Sequence, residues 1–498
     1  ERAMTKATLN VHAGHDDYHC IDDTGFFQVF AKNAQAAADL NIIGHRIAEL
    51  SLTPGAVAQD GFLTTHLIEP LNVPERELIE EFLGHPDDII ECPTPSQKML
   101  YGETRRRVPE LWDVDNPMLA GPVENQDSYM QSVAAQRPFF FDHIQDLADQ
   151  AFAEFEALTG RTYRRIKTFR CEDADYVMVG MGSITDDIRA VLPILRAQGL
   201  KVGVVSVKLL QPFPEGELVA ALDGKKAVTV LERSEVTALT NLVTQALFKA
   251  RENGDLIRHQ GIPAITTLPK ISTGIFGIGA HDLQPRHLIA AYRNMESSLN
   301  VPFFYLGTQF FEKNPIPRNA ELQKRLKQAY PETEFMAFET GDNPSLLPDD
   351  AFRIRFHSIG GYGTIATGKL LTDILAGVLD LHSKSSPKYG SEKSGAPTNF
   401  YITLSPEPIK ITNAELEDVE IVISPDHKVF SHTNPLRGLG PDGTLIMQSH
   451  RSPLEVWKEM PAYARKTIRE NRIKLYIVDA FGVAKKHAPV PELEIRMM

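Results

Sequence analysis

The run Gly360-Gly361-Tyr362-Gly363 follows an apolar segment, Arg353-Ile354-Arg355-Phe356-His357, and opens a helical pattern over Ile365–Leu379. A β–α turn without Cβ atoms lets backbone amides approach an anion, and the start of the following helix favours negative charge. Gly360, Gly361 and Gly363 therefore suit contact with a phosphate or pyrophosphate, although close packing of turn on helix uses the same residues. Further on, Lys388-Tyr389-Gly390-Ser391-Glu392-Lys393-Ser394-Gly395-Ala396-Pro397 is too long and polar for a tight turn. It reads as a loop between a helix and a strand. There Lys393 and Ser394 offer a charge and a hydroxyl to an anionic ligand, with a solvated loop as the plain alternative.

Near the start, His15-Asp16-Asp17 is the densest ionisable cluster. An imidazole beside carboxylates can move a proton, so His15 and Asp16 are candidates for general acid work; a structural turn uses the same residue types. His66, after Thr64-Thr65, would orient a neighbour or cap a helix. His12, His15 and His19 have a spacing that ligands can have, but no carboxylate or cysteine completes a convincing set, and no metal site is expected. The three cysteines, Cys20, Cys92 and Cys171, are far apart and form no CxxC pair. That excludes a four-cysteine cluster made by this chain alone and points to a reducing, cytoplasmic setting.

The elements that must carry these residues are of α/β type. Ala34–Leu50 has apolar positions at three- and four-residue spacing, as a packed helix requires, and Gly55–Ala58 is a short strand candidate. Residues 102–135 are irregular, with Pro109, Pro117 and Pro122 and an anchoring Trp112. A helix is expected from His143 to Leu158, stopped by Gly160. From Asp175 the pattern becomes βαβ: strands at Tyr176–Met181, Val202–Val207 and Ala227–Glu232, and a helix Asp186–Gln198 before Gly199. Unalternated β-branched runs separated by helices imply open parallel sheets covered on both faces. Residues 310–350 are polar and acidic and read as a linker; strands near 400–404, 420–423, 444–447 and 474–480 belong to a last α/β domain.

A formal net charge of −13 argues against nucleic acid as a partner. No apolar run reaches the roughly 20 residues of a membrane span. The chain opens on Glu1-Arg2-Ala3 and closes on Arg496-Met497-Met498, which reads as an interior piece of something longer.

The turn Gly360–Gly363, with Thr367-Gly368-Lys369 and then Tyr389-Gly390-Ser391-Glu392-Lys393-Ser394-Gly395-Ala396-Pro397, resembles the gamma domain of the 2-oxoacid:ferredoxin oxidoreductases. Gly14-His15-Asp16-Asp17, Thr24-Gly25-Phe26 and Asp60-Gly61-Phe62-Leu63-Thr64-Thr65-His66 are similar to the second half of the pyrimidine-type domain in the pyruvate members. Leu158–Tyr163, Met181-Gly182-Ser183 and Val207–Pro214 look like the entry and strand end of that family's second domain. The resemblance covers nearly the whole chain.

It implies an α/β fold of several open parallel-sheet domains. Residues 1–120 would be the end of a pyrimidine-type thiamine-binding domain and 121–170 a linker and helix. Residues 171–305 would be a transketolase C-terminal-like domain, 306–350 a linker and 351–498 the gamma domain. It also implies oxidative decarboxylation of pyruvate on thiamine diphosphate with magnesium, electron transfer through iron–sulfur clusters to ferredoxin or flavodoxin, and coenzyme A as acyl acceptor. Arg2 would grip the substrate carboxylate, and Gly360, Gly361, Gly363, Lys393 and Ser394 would touch coenzyme A or a phosphate. The order of the domains favours pyruvate over 2-oxoglutarate. The residues for the diphosphate and the clusters would lie in further domains or a partner, and the complete unit would be a homodimer. A non-catalytic scaffold subunit is the reading from another class; Leu63, where the family usually has an arginine, and the order His15-Asp16 speak for it.

Overall fold

The computed structural model describes residues 10, 12, 14–110, 123–311, 316–338, 342–390, 396–410 and 415–487. The chain divides into two compact units: Glu1–Thr65 with Leu71–Pro344, and His66–Pro70 with Ser345–Met498.

In the first unit, the helix Ala34–Ser51 starts where the Asn33 side chain accepts from the Ala36 amide at 2.9 Å. Its Leu40, Ile43 and Ile47 are buried with Phe27 and Val29 on one side and with Ala148, Ala151, Phe152 and Phe155 of the helix Ile144–Thr159 on another. Each such large side chain contributes about 1.5–3 kcal/mol when taken out of water. Gly160 closes the second helix in a left-handed conformation (φ 69°), as its position after the apolar pattern requires. These helices cover a small sheet in the order Gly55–Gln59, Phe27–Ala31, Leu209–Gln211. The first pair is parallel and the second antiparallel. Leu209–Gln211, expected in the second domain by its place in the chain, is thus a strand of the first sheet.

The second sheet has seven strands. Their order is Ala337–Phe338, Phe303–Leu306, Lys270–Ile275, Ala227–Glu232, Tyr176–Met181, Val202–Val207 and Ile166–Phe169. All neighbours run parallel except the last pair. Ala227–Glu232 and Val202–Val207 are buried along their whole length, the condition of a sheet covered on both faces. The stretch 306–350, expected as a linker, instead supplies the edge strand Ala337–Phe338 and the helix Pro317–Ala329. That helix buries none of its described residues, so it has no apolar stripe by which a sequence pattern could reveal it.

In the second unit a six-stranded sheet runs His382–Tyr389, Pro397–Ser405, Phe352–Ile359, Val419–Ser424, Leu439–Gln448, Lys474–Val478. The first two pairings are antiparallel and the other three parallel. Lys388 and Tyr389 therefore end a strand, and the segment after them joins two strands rather than a helix and a strand. The helix Thr364–Leu379 lies close on this sheet because Gly368 has no side chain: a Cβ there would collide with the Phe400 ring. Ile68 adds a short antiparallel bridge to Ser385, and Glu69 pairs with Lys384 at 2.8 Å.

Candidate functional site

Asp60 follows the strand Gly55–Gln59 and is 2% exposed. A buried carboxylate must be paired or neutral. Asp60 is paired three times. Its Oδ1 accepts from His15 Nε2 at 2.7 Å and from an Arg233 guanidinium nitrogen at 2.9 Å. Its Oδ2 accepts from the Ser183 amide at 2.6 Å. Burial alone would raise its pKa; His15, Arg233 and the Ser183 amide outweigh that and hold it well below the usual carboxylate range.

Gly182 makes the third contact possible. It has φ 79°, and a Cβ on it would collide with the Asp60 carboxylate. Only glycine combines that conformation with that approach.

Arg233 is completely buried just past the strand Ala227–Glu232. Besides Asp60 it donates to the carbonyls of Gly61 at 2.9 Å and Gly277 at 3.0 Å, and its own carbonyl accepts from the His15 amide at 2.8 Å. A rigid guanidinium fork is suited to holding several loops at once. Burial lowers the His15 pKa, with Asp60 opposing, so His15 is the neutral partner and Nε2 carries the hydrogen donated to the carboxylate. The ring nitrogen that faces Asp60 is thus committed to holding the loop.

Above this cluster lies a cavity of about 550 Å³. Phe30, Val57 and Phe62 give it apolar walls, and Asp17, Gln59 and Thr65 polar ones. The Phe62 backbone is left-handed (φ 63°), a strained conformation for a bulky residue, held by the Thr65 hydroxyl accepting from its amide at 2.9 Å. The Phe62 ring meets the His12 ring with centroids 4.1 Å apart. Tyr18 donates to the carbonyls of Val29 and Ala56, both at 3.2 Å, and so clasps the two strands beneath. No lysine or arginine is among the described residues that line the cavity. It suits an aromatic heterocycle with polar edges better than a diphosphate.

Of the residues singled out from sequence, His15 is in the buried cluster, and Asp16, partly buried, starts the short helix Asp16–His19 beside the cavity residue Asp17. Arg2, Lys393 and Ser394 lie outside the described residues. Gly360, Gly361 and Gly363 are in the second unit; Gly361 (φ 106°) and Gly363 (φ 70°) are left-handed, but the Gly360 amide donates to the Ala396 carbonyl at 2.8 Å. His66 packs edge-on against Tyr389 in the same unit. Arg233 was not anticipated. The signal was present in Glu232-Arg233-Ser234, a polar run at the carboxyl end of a buried parallel strand, where open α/β sheets place their ligands.

Three family models match in sequence order. The thiamine-diphosphate-binding model of the pyruvate flavodoxin/ferredoxin oxidoreductases covers residues 1–149, core domain II of pyruvate:ferredoxin oxidoreductase covers 174–258, and the pyruvate ferredoxin/flavodoxin oxidoreductase model covers 353–497. The chain belongs to this family. Across 97% of its length it is 22% identical to a pyruvate-flavodoxin oxidoreductase of Trichormus variabilis and 22% identical to a pyruvate:ferredoxin oxidoreductase of Moorella thermoacetica. It spans 37% of each of those two proteins. It is also 28% identical, over 57% of its own length and 66% of the relative, to pyruvate synthase subunit PorA of Thermotoga maritima. Among the described residues no helix is long and apolar enough to cross a membrane.

Proposed function

We propose that this chain is part of an enzyme that oxidatively decarboxylates pyruvate and transfers the acetyl group to coenzyme A, with electrons leaving through iron–sulfur clusters to ferredoxin or flavodoxin. The observation that carries the reading is the match of residues 1–149 to a thiamine-diphosphate-binding model, on the stretch that contains all of the described cavity wall. The relatives are named for pyruvate, which supports that substrate.

Bound thiamine diphosphate would supply the carbanion chemistry. This chain's own residues shape the site. Phe30, Val57 and Phe62 give the cavity apolar walls, while Asp60 and Arg233 fix the Gly61–Phe62 loop against the Gly14–Asp17 segment. Arg2 would grip the substrate carboxylate with a bidentate fork, and Asp16 would be the nearer candidate for proton transfer, His15 Nε2 being engaged by Asp60. Further domains or a partner would hold the diphosphate and its magnesium. Gly361 and Gly363 are the candidates for a phosphate of coenzyme A. A homodimer of the complete unit in the cytoplasm completes the reading.

The test is anaerobic viologen reduction by the complete complex containing this chain, with thiamine diphosphate, magnesium and coenzyme A, comparing pyruvate with 2-oxoglutarate. Reduction with pyruvate that drops at least 100-fold in kcat/KM in Arg2→Ala is expected. Reduction with 2-oxoglutarate alone overturns the substrate. No reduction with either, in a cluster-loaded complex, leaves a scaffold subunit.

A further inference from the structure

Lys208 follows the strand Val202–Val207 and is 2% exposed. Its backbone is fixed on both sides: its amide donates to the Arg165 carbonyl at 2.9 Å, and its carbonyl accepts from the Phe30 amide at 2.8 Å. The ammonium group has no hydrogen-bond partner among the described residues. Leaving a buried cation so is unfavourable, and an apolar side chain of similar length would avoid the cost.

The charges around it do not compensate. Among the described residues Lys32 and Lys167 act on it with the same sign, and Asp186 alone with the opposite sign. Asp186 is already engaged, by an ion pair with Lys32 and by the Asn33 side-chain amide at 3.2 Å. Burial and the like charges of Lys32, Arg189 and Arg164 lower the Lys167 pKa, with Asp186 opposing. Lys167 stands opposite Ser206 on the adjoining strand, two positions before Lys208; of the three lysines Lys167 is exposed, Lys32 partly buried and Lys208 buried. Burial, reinforced by Lys32 and Lys167, lowers the Lys208 pKa to about 7, a value that a bound anion would raise again.

We infer that Lys208, Lys32 and Lys167 form a binding site for a small oxyanion, carboxylate or phosphate, that enters past Lys167 and meets the Lys208 ammonium at its inner end.

The test is calorimetric titration of this chain with inorganic phosphate and, separately, with acetate, against sodium chloride at matched ionic strength. Saturable binding of one of them is expected, abolished in Lys208→Met and at least threefold weaker in Lys167→Gln. Phosphate alone would assign a tetrahedral anion, and acetate alone a carboxylate. Should Lys208→Met fail to fold, Lys208→Arg, which keeps the charge, must bind while Lys167→Gln binds more weakly. No binding above the chloride control overturns the site, as does equal binding by the wild type and a folded Lys208→Met or Lys167→Gln.

Discussion

At the scale of single residues, the first unit depends on one buried charge cluster. Removing one partner of a buried ion pair leaves the other unpaired, which costs about 3–5 kcal/mol. Arg233→Met should therefore cost about that much in urea unfolding of the first unit, and most of the loss should be relieved in the double variant Arg233→Met/Asp60→Asn. Simple addition of the two single losses would show that the pair is not coupled. The Asp60 pKa is depressed on folding, so its contribution is complete above the unfolded value near 3.9 and is lost as pH falls below it. Lys208 behaves in the opposite region. In the unfolded chain its pKa is about 10.4, in the folded chain about 7. Below pH 7 both states hold the proton and the folded state bears the full cost of burying it. Between about 7 and 10 only the unfolded state holds it, so stability from this residue rises with pH. In chloride buffer without other anions, the wild type should gain on Lys208→Met by about 1 kcal/mol per pH unit across that window. Urea midpoints at pH 6, 7.5 and 9 check this, and a constant difference would mean that folded Lys208 keeps its proton across the window.

At the scale of elements, Gly182 decides whether the strand end Met181 and the helix Ile184–Ala197 can meet Asp60. Gly182→Ala adds a side chain both to a left-handed backbone and to the place of the carboxylate. It should cost roughly 2 kcal/mol or more, as strain and a lost buried hydrogen bond together require. A stability within 0.5 kcal/mol of wild type would mean that the Asp60–Ser183 contact is dispensable. The same physics explains how much of the structure was legible in sequence. Tyr176–Met181, Val202–Val207 and Ala227–Glu232 were readable because both faces are buried and the sequence is correspondingly apolar. His382–Tyr389 was not, since Ser383, Lys384, Ser385, Pro387 and Lys388 carry no apolar alternation; its partner Pro397–Ser405 supplies the buried Phe400, Ile402 and Leu404. Leu209–Gln211 crosses to the first sheet after a single residue, and no local pattern records a change of sheet. In the site, His15 was visible as one of a dense ionisable cluster. Asp60 lies 45 positions from His15, and Arg233 a further 173 from Asp60, so the function of the trio exists only in the fold.

At the scale of the molecule, the order in sequence and the division into compact units differ at one point that can be tested. Residues His66–Pro70 belong to the second unit although the chain on both sides of them belongs to the first. Ile68 exchanges two backbone hydrogen bonds with Ser385, of 2.7 and 3.0 Å. Ile68→Pro removes the donor of the shorter one and so should weaken the second unit by about 1 kcal/mol. For a unit of this size that is a fall of roughly 2–4 °C in its Tm. The chain has two tryptophans, and Trp457 is packed against the core of the second unit. In a Trp112→Phe background its fluorescence reports that unit alone, while the Asp60–Arg233 cluster is probed by urea unfolding of the Arg233 and Asp60 variants. A Trp457 transition that moves down with Ile68→Pro, with no change in the energy of the Asp60–Arg233 pair, is the expected result. If the pair energy falls with it, residues 66–70 transmit strain into the candidate site, and the first unit cannot be treated as energetically separate from the second.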